Sequence, residues 1–196
     1  MAVSALSIYL VWASLAFGLR AWVQWRRTGD AGFRGGPPWV RALFVGAALA
    51  GVAGPVAELA GLDAIGVLDR PTVRGAGLAV ALCGVAATVA AQWSMGASWR
   101  VGVDERESTY LVTTGAFALA RNPIFTAMGV TAAGLAAMTP NPFSVAGLVL
   151  MITMVQLQVR VIEEPYLRRV HGAAYARYSA RVGRFLPGVG RLAPGA

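Results

Sequence analysis

Five apolar runs of bilayer-crossing length dominate this chain: Val3–Trp25, Val40–Leu62, Thr72–Met95, Pro123–Thr139 and Phe143–Ile162. An α-helix needs about 20 apolar residues to cross the roughly 30 Å hydrocarbon layer. The runs are continuously apolar, without the alternation of a strand that faces a lumen and lipid, so helices are expected rather than a barrel. With 57% hydrophobic and 13% charged residues, the 196-residue chain lies outside the range of a soluble domain. The expected fold is all-α over residues 1–196: a polytopic membrane protein with five transmembrane helices and a cytoplasmic amphipathic C-terminal helix within residues 163–187. Pro140-Asn141-Pro142 is all that joins the fourth and fifth runs, which predicts a tight helical hairpin.

Arginine placement orients the bundle. All 17 basic residues are Arg, and only Arg70 and Arg74 fall in the second loop, near Asp63 and Asp69. The other Arg residues lie in the first loop, the third loop (Arg100, Arg106, Arg121) and the tail, which puts the N-terminus outside and the C-terminus in the cytoplasm. Trp22, Trp25, Trp39, Trp93 and Trp99 are expected at that cytoplasmic interface. Met1–Ser7 has no positive charge and the first run ends at Arg26-Arg27, so an uncleaved span is expected rather than a secretion signal. The net charge of +8 is spread between apolar runs, which favours membrane lipids over nucleic acid as its partner. An Arg-only, Ala/Gly-rich composition points to a bacterial cell membrane.

Small residues recur four apart at Ala47/Gly51, Ala50/Gly54 and Gly77/Ala81. Such spacing permits close helix contact in lipid, or else reflects composition alone. Glu58, late in the second run, is read as structural and close to the outer interface. Gly29–Pro38 is expected to be a flexible connection and Leu192–Ala196 to fray.

Many familiar chemistries are excluded. The single His171 and single Cys83 leave no metal cluster, no His-based triad and no disulfide. Without Lys there is no phosphate-binding loop of the Gly-Lys type, and no GxSxG occurs. A bound cosubstrate that carries its own reactivity is therefore expected. Two polar islands remain to hold it. One is Gly115–Phe125, reading GAFALARNPIF, and the other begins at Glu163-Glu164 and continues to Tyr178.

From Gly96 the chain reads GASWRVGVDERESTYLVTTGAFALARNPIFTAMGV, then an apolar hairpin, then RVIEEPYLRRVHGAAYARYSARVGRFLP. This order resembles the isoprenylcysteine carboxyl methyltransferase and phospholipid methyltransferase superfamily over about Gly96–Pro187. The resemblance implies S-adenosylmethionine bound at the cytoplasmic face and a lipophilic or isoprenoid-like acceptor arriving between helices. It implies that Leu111, Val112 and Phe117 border the cofactor. Asn122, Pro123, Ile124 and Phe125 wrap it, Glu163 or Glu164 contacts its polar end, and Arg160 stands on the substrate side. Arg121 and Tyr175 join this set, Arg121 because a guanidinium suits the cofactor's carboxylate. Family Tyr, His and Tyr are here Phe117, Asn122 and Phe125, each of which removes or changes a hydrogen-bonding group.

Plainer roles exist for the same residues. Glu164 can pair with Arg168 four residues on, Asn122 can cap the helix that starts at Pro123, and Tyr175 and Tyr178 can be interfacial anchors. The leading expectation is an S-adenosylmethionine-dependent methyltransferase acting on a carboxyl, thiol or amine of a lipophilic small molecule or lipid. An NADPH-dependent membrane sterol or enone reductase and a non-catalytic membrane scaffold are the alternatives. Oligomeric state is not legible.

Overall fold

The computed structural model describes residues 1–34, 37–101 and 110–193. Arg106 therefore lies outside the described residues. Five helices carry the fold: α1 Ala2–Thr28, α2 Pro38–Leu59, α3 Pro71–Met95, α4 Pro123–Met138 and α5 Pro142–Arg181. Four of these are long and apolar enough to cross a membrane; α4, at 16 residues, is a shorter apolar helix. No β-strand occurs among the described residues, which carry only isolated bridges. Proline occupies the first position of α2, α3, α4 and α5, where its missing N–H has no helical partner to lose.

The helices meet backbone to backbone where side chains are smallest. Gly77 and Gly84 of α3 face Gly134 and Thr131 of α4 so closely that a Cβ on Gly134 would lie 2.3 Å from the Ala81 nitrogen. Gly54 and Ala50 of α2 meet Ser144 and Gly147 of α5 in the same way. The small-residue spacing is thus packing geometry. In lipid, contact rather than hydrophobic burial holds helices together. Between these pairs, Trp12, Met128, Met151, Met154 and Val159 form the main apolar cluster.

The hairpin between α4 and α5 is sealed by Asn141, which is fully buried. Its Oδ1 accepts from Ser144 N (3.0 Å) and its Nδ2 donates to Gly54 O (2.9 Å). At the same end of the bundle, Glu58 and Asp69 both pair with Arg74 (2.8 and 2.7 Å). Glu58 is a structural residue.

Several loops are more ordered than their composition suggests. Asp30 accepts from Gly32 N and pairs with Arg34, contacts that hold its carboxyl well below the usual carboxylate range. Val101 N donates to Gly32 O and Arg34 N to Val101 O, so the described part of the Gly29–Pro38 segment is laid against residues 99–101. Trp99 is buried there rather than exposed at an interface. It lies under the Arg20 guanidinium (4.8 Å) and beside Phe33, while Trp22, Trp25, Trp39 and Trp93 are exposed. At the far end Leu192 N donates to Ser179 O. Leu192 is thus tied down, and residues 194–196 lie outside the described set.

Two helices contain π-helical turns, Ser14–Leu19 in α1 and Gln158–Glu163 in α5. The expected amphipathic tail helix is instead a continuation of α5 that breaks at Gly172 (φ 45°, ψ −122°). That conformation is open to glycine because it has no Cβ. Past the break, Tyr175, Tyr178 and Ser179 turn inward and are buried.

Candidate functional site

A cavity of about 710 Å³ runs among α1, α2, α4 and α5 and reaches the two polar islands. Its walls are mainly aromatic and aliphatic, with polar groups gathered at the end where α4 begins and α5 turns. This is the usual make-up of a small-molecule site. Leu111, Val112, Phe117, Arg121, Asn122, Pro123, Ile124, Phe125, Glu163, Glu164 and Tyr175 all line it. Residues widely separated in the sequence are brought to one place, because α4 and α5 form a hairpin and the tail folds back over its open end.

The two adjacent glutamates have different tasks. Glu164 Oε1 accepts from Arg121 Nη2 (2.7 Å) and Arg184 Nε (2.7 Å), and its Oε2 from Arg184 Nη2 (3.0 Å). Its side chain is 6% exposed and that of Arg121 2%. The bonding raises the Arg184 guanidinium above its ordinary value. Arg168 is exposed and is not the partner that four-residue spacing suggested. Arg121 also donates to Ser179 O and Gly190 O. Glu164 is therefore saturated by two cations that fasten the tail to the start of α4.

Glu163 is differently placed. Its partner is Gln158, whose Nε2 donates to Oε1 at 3.0 Å. Five residues is about 140° of rotation round an α-helix, so the two side chains would diverge. The π turn bonds i to i+5 and puts residue 163 one turn above residue 158. Both residues line the cavity. The carboxylate of Glu163 thus keeps acceptor capacity toward a ligand that Glu164 has spent on the tail.

The same wide turn separates Arg160 from the site. In an α-helix, residues three apart share a face; here the fifth residue takes that place. Arg160 does not line the main cavity. It is exposed, its Nε donates to Gln156 Oε1 (2.7 Å), and it borders a smaller cleft nearby.

Asn122 occupies the cap position of α4 but does not cap it. Its Nδ2 and its backbone N–H donate to Arg184 O (3.0 and 3.1 Å), while Arg121 N donates to Gly183 O and Thr126 Oγ1 to Phe185 O. The first turn of α4 is consequently without a side-chain cap where it meets the cavity. Free N–H groups at a helix start suit a carboxylate or phosphate.

Tyr175 is buried, with the Arg121 guanidinium 5.9 Å from its ring centre and Tyr178 packed edge-on at 6.3 Å. Tyr178 Oη donates to Phe117 O at 2.6 Å, which fixes the Thr114–Leu119 turn. Neither tyrosine is an interfacial anchor.

Sequence reasoning missed three contributors, Gln158, Trp99 and Arg184, and left Tyr178 between an interfacial anchor and a site role. A signal existed for Gln158, which with Gln156 and Arg160 makes the end of an apolar run polar. The Gly183-Arg184-Phe185 stretch gave none, since its bonds to residues 121–126 are made by its backbone.

An apolar helical bundle, with a largely apolar cavity whose polar groups gather at one end, has the make-up of a membrane protein with a small-molecule site. Residues 73–174 match the model of a family described as phospholipid methyltransferase, and the chain belongs to that family. No curated protein matches it. It is thus an integral membrane methyltransferase of a family that generally uses S-adenosylmethionine.

Proposed function

We propose that this protein transfers a methyl group from S-adenosylmethionine to a carboxyl, thiol or amine of a lipophilic, isoprenoid-like acceptor at the cytoplasmic face of a bacterial cell membrane. All five helices would cross that membrane, with the N-terminus outside and α5 delivering its polar end to the cytoplasm. The observation that carries this reading is that one cavity gathers every expected cofactor-binding residue.

The residues fit the cofactor. Gln158 Oε1 and Arg121 Nε are buried polar atoms without a partner, an acceptor and a donor on residues that line the same cavity. S-adenosylmethionine would supply an activated methyl on a sulfonium, together with an ammonium and a carboxylate. Glu163, steadied by Gln158, would hold the ammonium. The uncapped start of α4 and Arg121 would face the carboxylate. Leu111, Val112, Phe117, Ile124 and Phe125 would pack around the nucleoside and exclude water. In such a setting positioning supplies most of the acceleration. The departures at Phe117, Asn122 and Phe125 act on packing and tail attachment, which the methyl-donor end tolerates.

Calorimetric titration of detergent-purified protein with S-adenosylmethionine and S-adenosylhomocysteine tests the proposal. Micromolar binding is expected, weakened roughly 10- to 100-fold by Glu163→Gln, the loss of one charge-assisted hydrogen bond. If neither compound binds well-folded protein, the reading is wrong.

A further inference from the structure

The cleft that Arg160 borders is a second site. It measures about 400 Å³ and is built from Gly129, Met151, Ile152 and Val155 along its length, with Arg160 and Arg184 among its lining. On α5 it extends from Met151 to Arg160, about 13 Å at 1.5 Å per residue. It is apolar toward the middle of the helix and cationic toward the helix's polar end. Among the described residues Arg160 bonds through its Nε, to Gln156. Arg184 uses Nε and Nη2 on Glu164, which leaves Nη1.

We propose that this cleft binds one anionic phospholipid of the surrounding bilayer, its phosphate on Arg160 and an acyl chain along Gly129, Met151 and Ile152. A guanidinium pairs bidentately with phosphate, and an arginine at the level of lipid headgroups is least costly when an anion meets it there. The lining suits a single amphiphile, with charge at one end and apolar side chains at the other. Phe125 and Met151 line both this cleft and the main cavity, and Arg184 and Val189 belong to the segment whose backbone accepts from Arg121, Asn122 and Thr126. The lipid therefore braces that attachment from outside. This proposal does not depend on the identity of the methyl donor or acceptor.

The test compares thermal unfolding in nanodiscs of phosphatidylcholine with and without phosphatidylglycerol. At saturation phosphatidylglycerol is expected to raise the midpoint by about 5–10 °C, the shift for a ligand near 100 times its Kd. Arg160→Gln should abolish that rise. Gly129→Leu should abolish it independently by filling the cleft. No atom lies within 4 Å of a Cβ at residue 129, and leucine favours a helix over glycine, so this variant should fold. Soluble glycerol 3-phosphate should produce no shift. The proposal is overturned if phosphatidylcholine alone gives the same midpoint, if soluble phosphate reproduces the rise, or if the rise survives both substitutions. Diffuse attraction of a chain of net charge +8 to an anionic surface would survive the loss of one arginine, and would thereby count against a site.

Discussion

Glu164 is the residue whose removal should separate attachment of the tail from ligand binding in the cavity. Glu164→Gln keeps the volume and removes the charge that two arginines share. The bonds at risk are those from Arg121 Nη2, Arg184 Nε and Arg184 Nη2, all within 3.0 Å. Glutamine has one acceptor oxygen, and its amide N–H₂ would face a guanidinium that can only donate. With side-chain exposures of 2% for Arg121 and 14% for Arg184, little solvent is present to compensate. Removing one partner of a buried ion pair costs about 3–5 kcal/mol. If that cost falls on tail attachment, local opening becomes about 150- to 4000-fold more frequent.

Hydrogen exchange reads the effect directly. The amides of Arg121 and Asn122 donate to Gly183 O and Arg184 O, and that of Leu192 to Ser179 O. These three should lose protection together, while amides of the α3–α4 contact such as Ala81 keep theirs. A change below tenfold at Arg121 and Asn122 would refute the role given to Glu164. So would an equal loss at Ala81, which would mean global destabilisation instead of tail release.

Other substitutions probe the remaining joints. Gly134→Ala puts a Cβ 2.7 Å from Ala81 Cα and Gly77 O, so α3 and α4 must part; a loss of about 1–3 kcal/mol should show as a lowered thermal midpoint. Gly172→Ala forces a side chain into φ 45° at a cost of about 1–3 kcal/mol, and near-ultraviolet dichroism should report the release of Tyr175 and Tyr178. Tyr178→Phe leaves Phe117 O without its donor, for about 1–3 kcal/mol; calorimetry should show weaker S-adenosylmethionine binding, and unchanged binding would remove Tyr178 from the site's support.

The helices were legible because lipid imposes length and apolarity on every crossing segment, and proline marked the starts of α2 to α5 within two residues. The motif order led to the family and to the residues at the cavity's polar end. Adjacency in sequence, however, did not reveal which carboxylate faces the cavity. Glu163 and Glu164 are chemically identical, and their roles diverge only because Arg184 returns beside one of them. The wide turn at Gln158–Glu163 was equally hidden, since no side-chain pattern encodes the extra residue in its ladder; this is why Arg160 was expected beside the glutamates. Asn122 read as a cap because that is its commonest use, whereas the tail's backbone carbonyl claims its amide. Trp99 read as interfacial because its burial depends on a loop some 70 residues earlier.

Attachment of the segment around Arg184 to the start of α4 also has a consequence in time. Asn122 and its partner are 62 residues apart, which at about 5–20 residues per second of synthesis is roughly 3–12 s. For the first part of that interval Arg121 lacks its carboxylate, which follows 43 residues after it, and its carbonyl acceptors Ser179 O and Gly190 O come 58 and 69 residues after it. The emerging chain therefore carries an uncompensated cation until Glu164 arrives. The order of assembly is written into the site: α4 first, then Glu164, then the strap that fastens the start of α4.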